Sequence, residues 1–182
     1  MDSSHLTRHS SHSISDPYNR TITTTTSIKM DSNVTSALIS IGLPKNYGWV
    51  ALAASSTYFL NVYQMINVSK ARKRAGIPYP KTYCEDKENK AGHIFNCAQR
   101  AHLNTLESVP YVLFGILFSG LFFPRLAASL GAVWTFGRVI YTMGYTTGDP
   151  SKRFYGFFQS IAFLTIGGLS AYSSVQLILD QA

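Results

Sequence analysis

The sequence has few of the residues on which disulfide scaffolds and the commonest enzyme motifs depend. Its 182 residues include only two cysteines, Cys84 in a predicted loop and Cys97 in an apolar segment, so we expect no structural disulfide. There is no HExxH motif, no glycine-rich phosphate loop and no persuasive Ser/His/Asp arrangement. These absences argue against a zinc hydrolase, a nucleotide-binding protein and a serine hydrolase.

Charged residues are missing from long stretches of the chain. Residues 47–68 carry no charge over 22 positions, about 33 Å of helix at about 1.5 Å per residue, which is enough to cross a bilayer. The other predicted spans are 94–123, which begins with a polar stripe, 126–147, whose one charge is Arg138, and 154–179, which has no charge. We therefore predict an all-α fold, an integral-membrane four-helix bundle formed by residues 47–182 as one domain.

The first 46 residues have a different composition, rich in Ser and Thr. Such a segment cannot bury enough apolar surface to fold, so we predict that 1–46 is a disordered tail. It lacks the apolar core of a secretory signal peptide, while a mitochondrial presequence and an alternative start at Met30 stay open. The tail holds His5, His9 and His12, but with no fixed fourth ligand we expect no metal site.

The basic residues are concentrated in the predicted loops 69–93 and 148–153. By the positive-inside rule these loops lie in the cytosol and both termini lie on the lumenal side. The sequons at Asn19 and Asn33 would then be open to glycosylation. A basic patch can also bind nucleic acid, but a cluster between two spans is mainly a topology signal, so we expect no nucleic-acid partner.

Helical spacing places polar side chains on one face of the second and third predicted spans. The stripe of the second span consists of Asn96, Arg100, Asn104, Glu107 and Tyr111, and that of the third consists of Arg138, Tyr141 and Tyr145. Ionisable groups inside a span are costly and by default indicate a functional site. Arginine forks bind carboxylates and a glutamate binds an ammonium group, so the stripes suit a small zwitterionic ligand.

A packing role for these stripes is the alternative. In that interpretation Arg100 and Glu107 neutralise each other, and Arg138 contacts a backbone carbonyl or a lipid headgroup. Three further polar residues of the first span are expected to form interhelical hydrogen bonds rather than ligand contacts. These residues are Asn61, Gln64 and Asn67.

Three segments, 67–73, 95–107 and 137–153, resemble motifs of the MAPEG family, the membrane-associated proteins of eicosanoid and glutathione metabolism. They occur in the family's order, and the resemblance covers about 47–180. It implies a homotrimer of four-helix bundles with glutathione bound as co-substrate at each subunit interface, near the cytosolic face. No tightly bound cofactor or metal is implied.

The implied function is that of a glutathione transferase with glutathione peroxidase activity, acting on lipophilic electrophiles and lipid hydroperoxides, in the manner of leukotriene C4 synthase. The alternative is a non-catalytic lipid-binding scaffold of the same family. The endoplasmic reticulum is the expected location, with the nuclear envelope and mitochondrial outer membrane as alternatives. Aromatic residues expected to line the acceptor's path, or merely to pack, are Phe114, Phe118, Trp134 and Phe136.

The resemblance also implies roles for single residues. Those expected to bind glutathione are Arg72, Arg100, Asn104, Glu107, Arg138, Tyr141 and Tyr145. Arg72 would reach a carboxylate from the neighbouring subunit.

Two residues are expected to act in the chemical step. Arg153 would stabilise the glutathione thiolate, and Lys73 would serve as an acid for the acceptor. This chain departs from the leukotriene-C synthases at Ser108, which replaces a tyrosine. It also has one extra residue before Arg153, which leaves Lys152 as the alternative thiolate partner.

Overall fold

The computed structural model describes residues 42–181, in which all regular structure is helical. The prediction of an all-α protein is therefore confirmed for this part of the chain. Nearly all of the predicted tail 1–46, with Met30 and both sequons, lies outside the described residues. The elements are α1 (Tyr47–Ala75), α2 (Lys90–Ser119), α3 (Pro124–Tyr145), a 3-10 helix (Pro150–Gly156) and α4 (Phe158–Leu179).

Local signals explain where these helices begin and end. The side chain of Asn89 accepts a hydrogen bond from the Gly92 amide at 2.8 Å, so α2 starts at Lys90, four residues before the predicted span. α1 ends at Gly76, whose φ of 64° lies in the left-handed region that glycine adopts without strain. Pro124 occupies the first turn of α3, where its missing N–H costs nothing.

The fourth predicted span, 154–179, is divided in the structure. Pro150 starts a 3-10 helix, and α4 begins only at Phe158. The carboxylate of Asp149 accepts hydrogen bonds from both the amide and the hydroxyl of Ser151, at 3.0 and 2.6 Å. Asp149 thus caps the 3-10 helix, and the long helix of the fourth predicted span begins at Phe158, four residues later than predicted.

The four long helices pack through α2 and α3, which contact each other and both remaining helices. Leu60, Val112, Ile116, Trp134 and Ile166 are fully buried members of the shared core. A Cβ atom at Gly115 would collide with the Ile166 side chain, so glycine allows the close contact between α2 and α4.

Among the described helices, only α4 is long and apolar enough to cross a membrane by length and composition. Polar residues interrupt the other three, so the prediction of four membrane spans stays a prediction. Many large apolar side chains nevertheless point outward, including Phe59 and Leu164, which are 69 % and 72 % exposed. Of the aromatic residues proposed to line the acceptor's path, Phe114 and Phe136 are exposed, whereas Trp134 is fully buried.

Polar side chains of α1 hydrogen-bond to the other helices. The Gln64 amide donates to the hydroxyls of Thr105 and Thr142, at 2.8 and 2.7 Å, and all three residues are buried; we call them the closed cluster. Asn61 pairs with the His102 ring at 2.7 Å. The predicted interhelical role is confirmed for Asn61 and Gln64, and it stays a prediction for Asn67.

Candidate functional site

The polar stripes of α2 and α3 adjoin at the Arg138 guanidinium. Arg138 is only 5 % exposed, and it donates to Asn104 Oδ1 at 2.7 Å and to Ser108 Oγ at 2.6 Å. Its guanidinium carbon also lies 5.4 Å from the ring centroid of Trp134 and 5.2 Å from that of Tyr141. Two neutral oxygens and two aromatic rings therefore hold this cation between the helices.

A cavity of about 190 Å³ opens beside Arg138, between α2, α3 and α4. Glu107 lies close enough to Arg138 for Coulomb interaction, and the Asn104 amide lies 3.5 Å from Glu107 Oε2. We call this space the Arg138 cavity. Its lining residues are Asn104, Glu107, Ser108, Tyr111, Arg138, Gln159, Ser160 and Phe163. The cavity thus presents a cation, an anion, amides and hydroxyls within one small volume.

A second cavity, of about 370 Å³, lies where the start of α2 meets the end of α3. We call it the Arg100 pocket, and its lining residues are Tyr83, His93, Asn96, Cys97, Arg100, Tyr145 and Pro150. Tyr141 lies between a lining residue of each cavity, since its ring lies 5.2 Å from the Arg138 guanidinium and 5.6 Å from the Tyr145 ring. The predicted binding residues of α2 and α3 are therefore neighbours along one line.

The 3-10 helix brings Arg153 to this line. It packs closely on α3, because a Cβ at Gly144 would collide with the Lys152 carbonyl and one at Gly156 with the Gly137 carbonyl. Arg153 and Arg100 are both exposed, and both lie close enough to Tyr141 for Coulomb interaction. The tight packing of this element therefore gathers positive charge around the Tyr141 hydroxyl.

The Asp149 cap fixes the start of the 3-10 helix. Hydrogen bonds from the hydroxyl and the amide of Ser151 lower the pKa of the Asp149 carboxyl, since they stabilise its charged form. The preceding turn is tied to α2, where His93 Nε2 lies 2.9 Å from the Gly148 carbonyl oxygen.

Four predicted residues line neither cavity, namely Arg72, Lys73, Tyr141 and Arg153, and the first two are not among the charges that act on Tyr141. The Arg72 guanidinium lies 4.4 Å from the Tyr79 ring and 4.6 Å from the Phe95 ring, and it donates to the Lys81 carbonyl at 2.6 Å. In the single chain this arginine holds the loop between α1 and α2. Lys73 is exposed in the last turn of α1.

Lys152 and Asn96 are placed differently from the residues around Tyr141. Lys152, the alternative thiolate partner, is half-buried, and its carbonyl packs against Gly144. Asn96, the first residue of the α2 stripe, accepts from the Cys84 amide at 2.7 Å and donates to the Cys84 carbonyl at 2.8 Å. Its side chain therefore fixes the loop before α2.

Sequence reasoning missed the contribution of α4 and the role of Ser108. Gln159 and Ser160 line the Arg138 cavity, yet they lie in a segment described only as uncharged. Ser108 accepts from Arg138, although the sequence singled it out only as a departure from a family motif. Its spacing of four residues from Asn104 was the available signal, since that spacing places both on one helix face.

Comparison with known proteins shows the family of this chain. Residues 50–173 match the sequence profile of the MAPEG family, and this match covers more than half of the chain. The chain belongs to the MAPEG family. It is also 36 % identical over 110 residues to the uncharacterized protein sll1147 of Synechocystis sp., an alignment covering 60 % of this chain and 74 % of the relative. Family membership gives a membrane-associated protein of glutathione-related or eicosanoid-related function.

Proposed function

We propose that this MAPEG protein is a membrane-bound glutathione transferase with glutathione peroxidase activity, most similar to microsomal glutathione S-transferase 3. The supporting observation is the line of charge around Tyr141, where Arg100, Arg138 and Arg153 accompany Glu107. Three cations and one anion give these side chains a formal charge of +2. Glutathione has two carboxylates and one ammonium group, so its thiolate form carries the complementary charge of −2.

The binding roles follow from charge and hydrogen-bonding capacity. The guanidinium groups of Arg100 and Arg138 can each form a bidentate pair with a carboxylate, and the Glu107 carboxylate can bind the ammonium group. Asn104 is already oriented by Arg138, at 2.7 Å, so its amide is held in place before a ligand arrives. Tyr141 and Tyr145 would hydrogen-bond to the peptide groups of the ligand.

Arg72 has a further part in this proposal. In a trimer it would reach a carboxylate of glutathione bound mainly to the neighbouring subunit. Its contacts with Tyr79, Phe95 and the Lys81 carbonyl would then have to be exchanged for the ligand. Binding at Arg72 would therefore be coupled to the position of the loop between α1 and α2.

The chemical step requires the thiolate. A free thiol has a pKa of about 8.5 and is mostly protonated at neutral pH. An arginine at the sulfur favours the anion, and Arg153 is the residue we assign to this role, with Lys152 as the alternative. With an epoxide acceptor the thiolate attacks a ring carbon, the C–O bond breaks as the C–S bond forms, and Lys73 supplies a proton to the oxygen. With an electrophilic arene the thiolate displaces a leaving group, which departs as an anion. With a lipid hydroperoxide, two glutathione molecules give the lipid alcohol, water and glutathione disulfide.

The assembly and location complete the proposal. We propose a homotrimer of integral-membrane four-helix bundles, formed by residues 47–182, with 1–46 as a disordered tail. The endoplasmic reticulum is the proposed location. Glutathione would bind at the cytosolic face and the lipophilic acceptor would arrive from the bilayer.

Activity of the purified full-length protein in detergent tests this function. We expect glutathione-dependent turnover of a lipid hydroperoxide or of an electrophilic arene. An Arg74→Ala variant is the matched control, because Arg74 is an exposed cation at the end of α1 that lines neither cavity. Lipid binding by an assembled protein without turnover of either acceptor would favour the lipid-binding scaffold and contradict the proposal.

A further inference from the structure

A third cavity, of about 750 Å³, lies between α1 and α3. It shares no residue with the Arg138 cavity or the Arg100 pocket. We call it the α1–α3 groove. Its lining residues are Asn46, Trp49, Leu52, Ala53, Ser56, Arg125, Ala128, Ser129, Ala132, Thr135, Phe136 and Val139. Most of these side chains are apolar or small, so the groove suits a hydrocarbon ligand.

The length of the groove matches a lipid acyl chain. Its α3 wall extends from Arg125 to Val139, fourteen helical steps or about 21 Å at about 1.5 Å per residue. One leaflet of a bilayer contributes about 15 Å, half of a hydrocarbon core about 30 Å thick. An extended chain entering at the Arg125 end would therefore remain against protein over the whole depth of its leaflet.

Two hydroxyl groups in the middle of the groove are already paired with each other. Ser56 Oγ donates to the Ala53 carbonyl at 2.6 Å, which leaves Thr135 as the donor in the 3.0 Å bond between the two hydroxyls. A hydrocarbon chain lying over this pair would break no hydrogen bond. The burial cost that usually opposes an apolar ligand on a polar surface is therefore small at this pair.

Charge is confined to one end of the groove. Arg125 is exposed in the first turn of α3, and Asn46, preceded by the exposed Lys45, occupies the N-cap position of α1 at that same end. The other lining residues are uncharged. A ligand with an anionic head and an apolar tail matches this distribution, whereas a wholly apolar molecule would make no use of the cation.

The groove is also open along its side. Trp49, Leu52 and Phe136 line it and are 62 %, 60 % and 62 % exposed. A chain could therefore enter sideways while its headgroup stays at the membrane surface. This mode of entry favours a phospholipid already present in the bilayer.

We propose that the α1–α3 groove binds one acyl chain of an anionic phospholipid and that Arg125 binds its phosphate-bearing headgroup. The inference depends on the membrane location proposed above, and it does not depend on glutathione chemistry. The lipid would belong to the leaflet that receives the beginnings of α1 and α3, opposite the proposed cytosolic glutathione site.

Tryptophan fluorescence provides a direct test, because the chain has only two tryptophans. Trp49 lines the groove, whereas Trp134 is fully buried and its signal can be subtracted with a Trp49→Phe variant. The full-length protein would be placed in phosphatidylcholine vesicles containing phosphatidylserine or phosphatidylcholine with brominated chains. We expect half-maximal quenching of Trp49 at an about five-fold lower fraction of the anionic lipid, the selectivity of one basic residue near a membrane surface.

Three variants make the test specific. Arg125→Gln should abolish the anionic preference, while Arg74→Gln, which removes an exposed cation at the other end of α1, should keep it. Ala132→Phe should fill the groove and weaken quenching by both lipids. The groove proposal is wrong if the wild-type protein is quenched equally by both lipids, if Arg125→Gln keeps the preference, or if a second copy shields Trp49 from both.

Glutathione turnover of the wild-type protein, measured in the same vesicles, separates this proposal from the proposed function. Anionic selectivity at Trp49 without turnover would support the groove and contradict the transferase. Glutathione turnover without anionic selectivity at Trp49 would support the transferase and contradict the groove proposal.

Discussion

Two polar clusters lie side by side between α2 and α3, and they have opposite characters. The closed cluster of Gln64, Thr105 and Thr142 is buried and hydrogen-bonded across three helices. The open cluster around Arg138 borders a cavity of about 190 Å³. Their members are sequence neighbours, because Thr105 follows Asn104 directly. One step along a helix turns the side chain by about 100°, which is enough to move it from the core to a cavity.

The two clusters differ in what they can still bind. In the closed cluster each threonine hydroxyl accepts from Gln64 and donates to a carbonyl of its own helix, at 3.0 Å for Thr105 and 2.7 Å for Thr142. In the open cluster Arg138 donates to neutral oxygens of Asn104 and Ser108, so its charge is available to an anion. We therefore expect polarity in this helical core to indicate ligand binding only where a charged side chain borders a cavity.

The largest expected effect is the loss of turnover on substitution of Arg153, which should leave the stability of the protein unchanged. If Arg153 holds the thiolate, Arg153→Ala should lower kcat by about 100-fold or more, as removal of one oxyanion donor does, with little change in glutathione affinity. The thiolate absorbance on glutathione binding should fall, and the pH optimum should rise because deprotonation becomes harder. Both are measured on the purified protein, whose thermal stability should stay unchanged because Arg153 is exposed.

Lys152→Ala is the matched control for that variant. The roles are exchanged if Lys152→Ala abolishes the thiolate signal while Arg153→Ala leaves it intact. The transferase mechanism itself is contradicted if neither substitution has an effect.

The closed cluster should show the reverse pattern, affecting stability and not glutathione affinity. Gln64→Ala should lower the free energy of unfolding by about 2 kcal/mol, because it leaves a cavity and removes two hydrogen bonds. Gln64→Leu should cost less than about 1 kcal/mol, since it fills the space and removes Oε1, which is buried without a partner. Thermal unfolding measures the stability of both variants. Equal losses of stability would show that the lost hydrogen bonds cost more than the lost side-chain volume.

The smallest expected effect concerns the cap that positions Arg153. The pKa of Asp149 is lower in the folded protein than its unfolded value of about 3.9, so its stabilisation is present above that pH. It is lost as the pH falls through the lower folded pKa. Hydrogen exchange of the Ser151 amide should therefore become less protected in strong acid. An Asp149→Asn variant should show no such acid dependence; if it loses protection in the same way, another group is responsible.

Apolar stretches long enough to cross a bilayer were sufficient to predict the helical class and the start of α1 at Tyr47, and helical periodicity was sufficient to predict the polar faces of α2 and α3. These features depend on spacing within one segment. The 3-10 helix was missed because residues 148–153 were predicted as a loop and 154–179 as one span. This element packs closely on α3 at Gly144 and Gly156, and local spacing does not encode such contacts.

Contacts between segments that are distant in the sequence could not be predicted from it. The position of Arg72 between Tyr79 and Phe95 depends on how the loop folds back, and no spacing encodes that. The contribution of Gln159 to the Arg138 cavity similarly requires the angle between α4 and its neighbours. Periodicity predicts which face of a helix is polar, whereas the residues that this face contacts depend on tertiary packing.

Glutathione titration by calorimetry tests the central claim, that the open polar face of α2 and α3 binds glutathione. Arg100→Ala in an assembled protein should raise Kd by about 10- to 100-fold, because a carboxylate loses a charge-assisted partner worth about 1.5–3 kcal/mol. Arg100→Lys should recover part of the affinity, and Gln64→Leu should bind as the wild-type protein does. An unchanged Kd in intact Arg100→Ala protein would contradict the account.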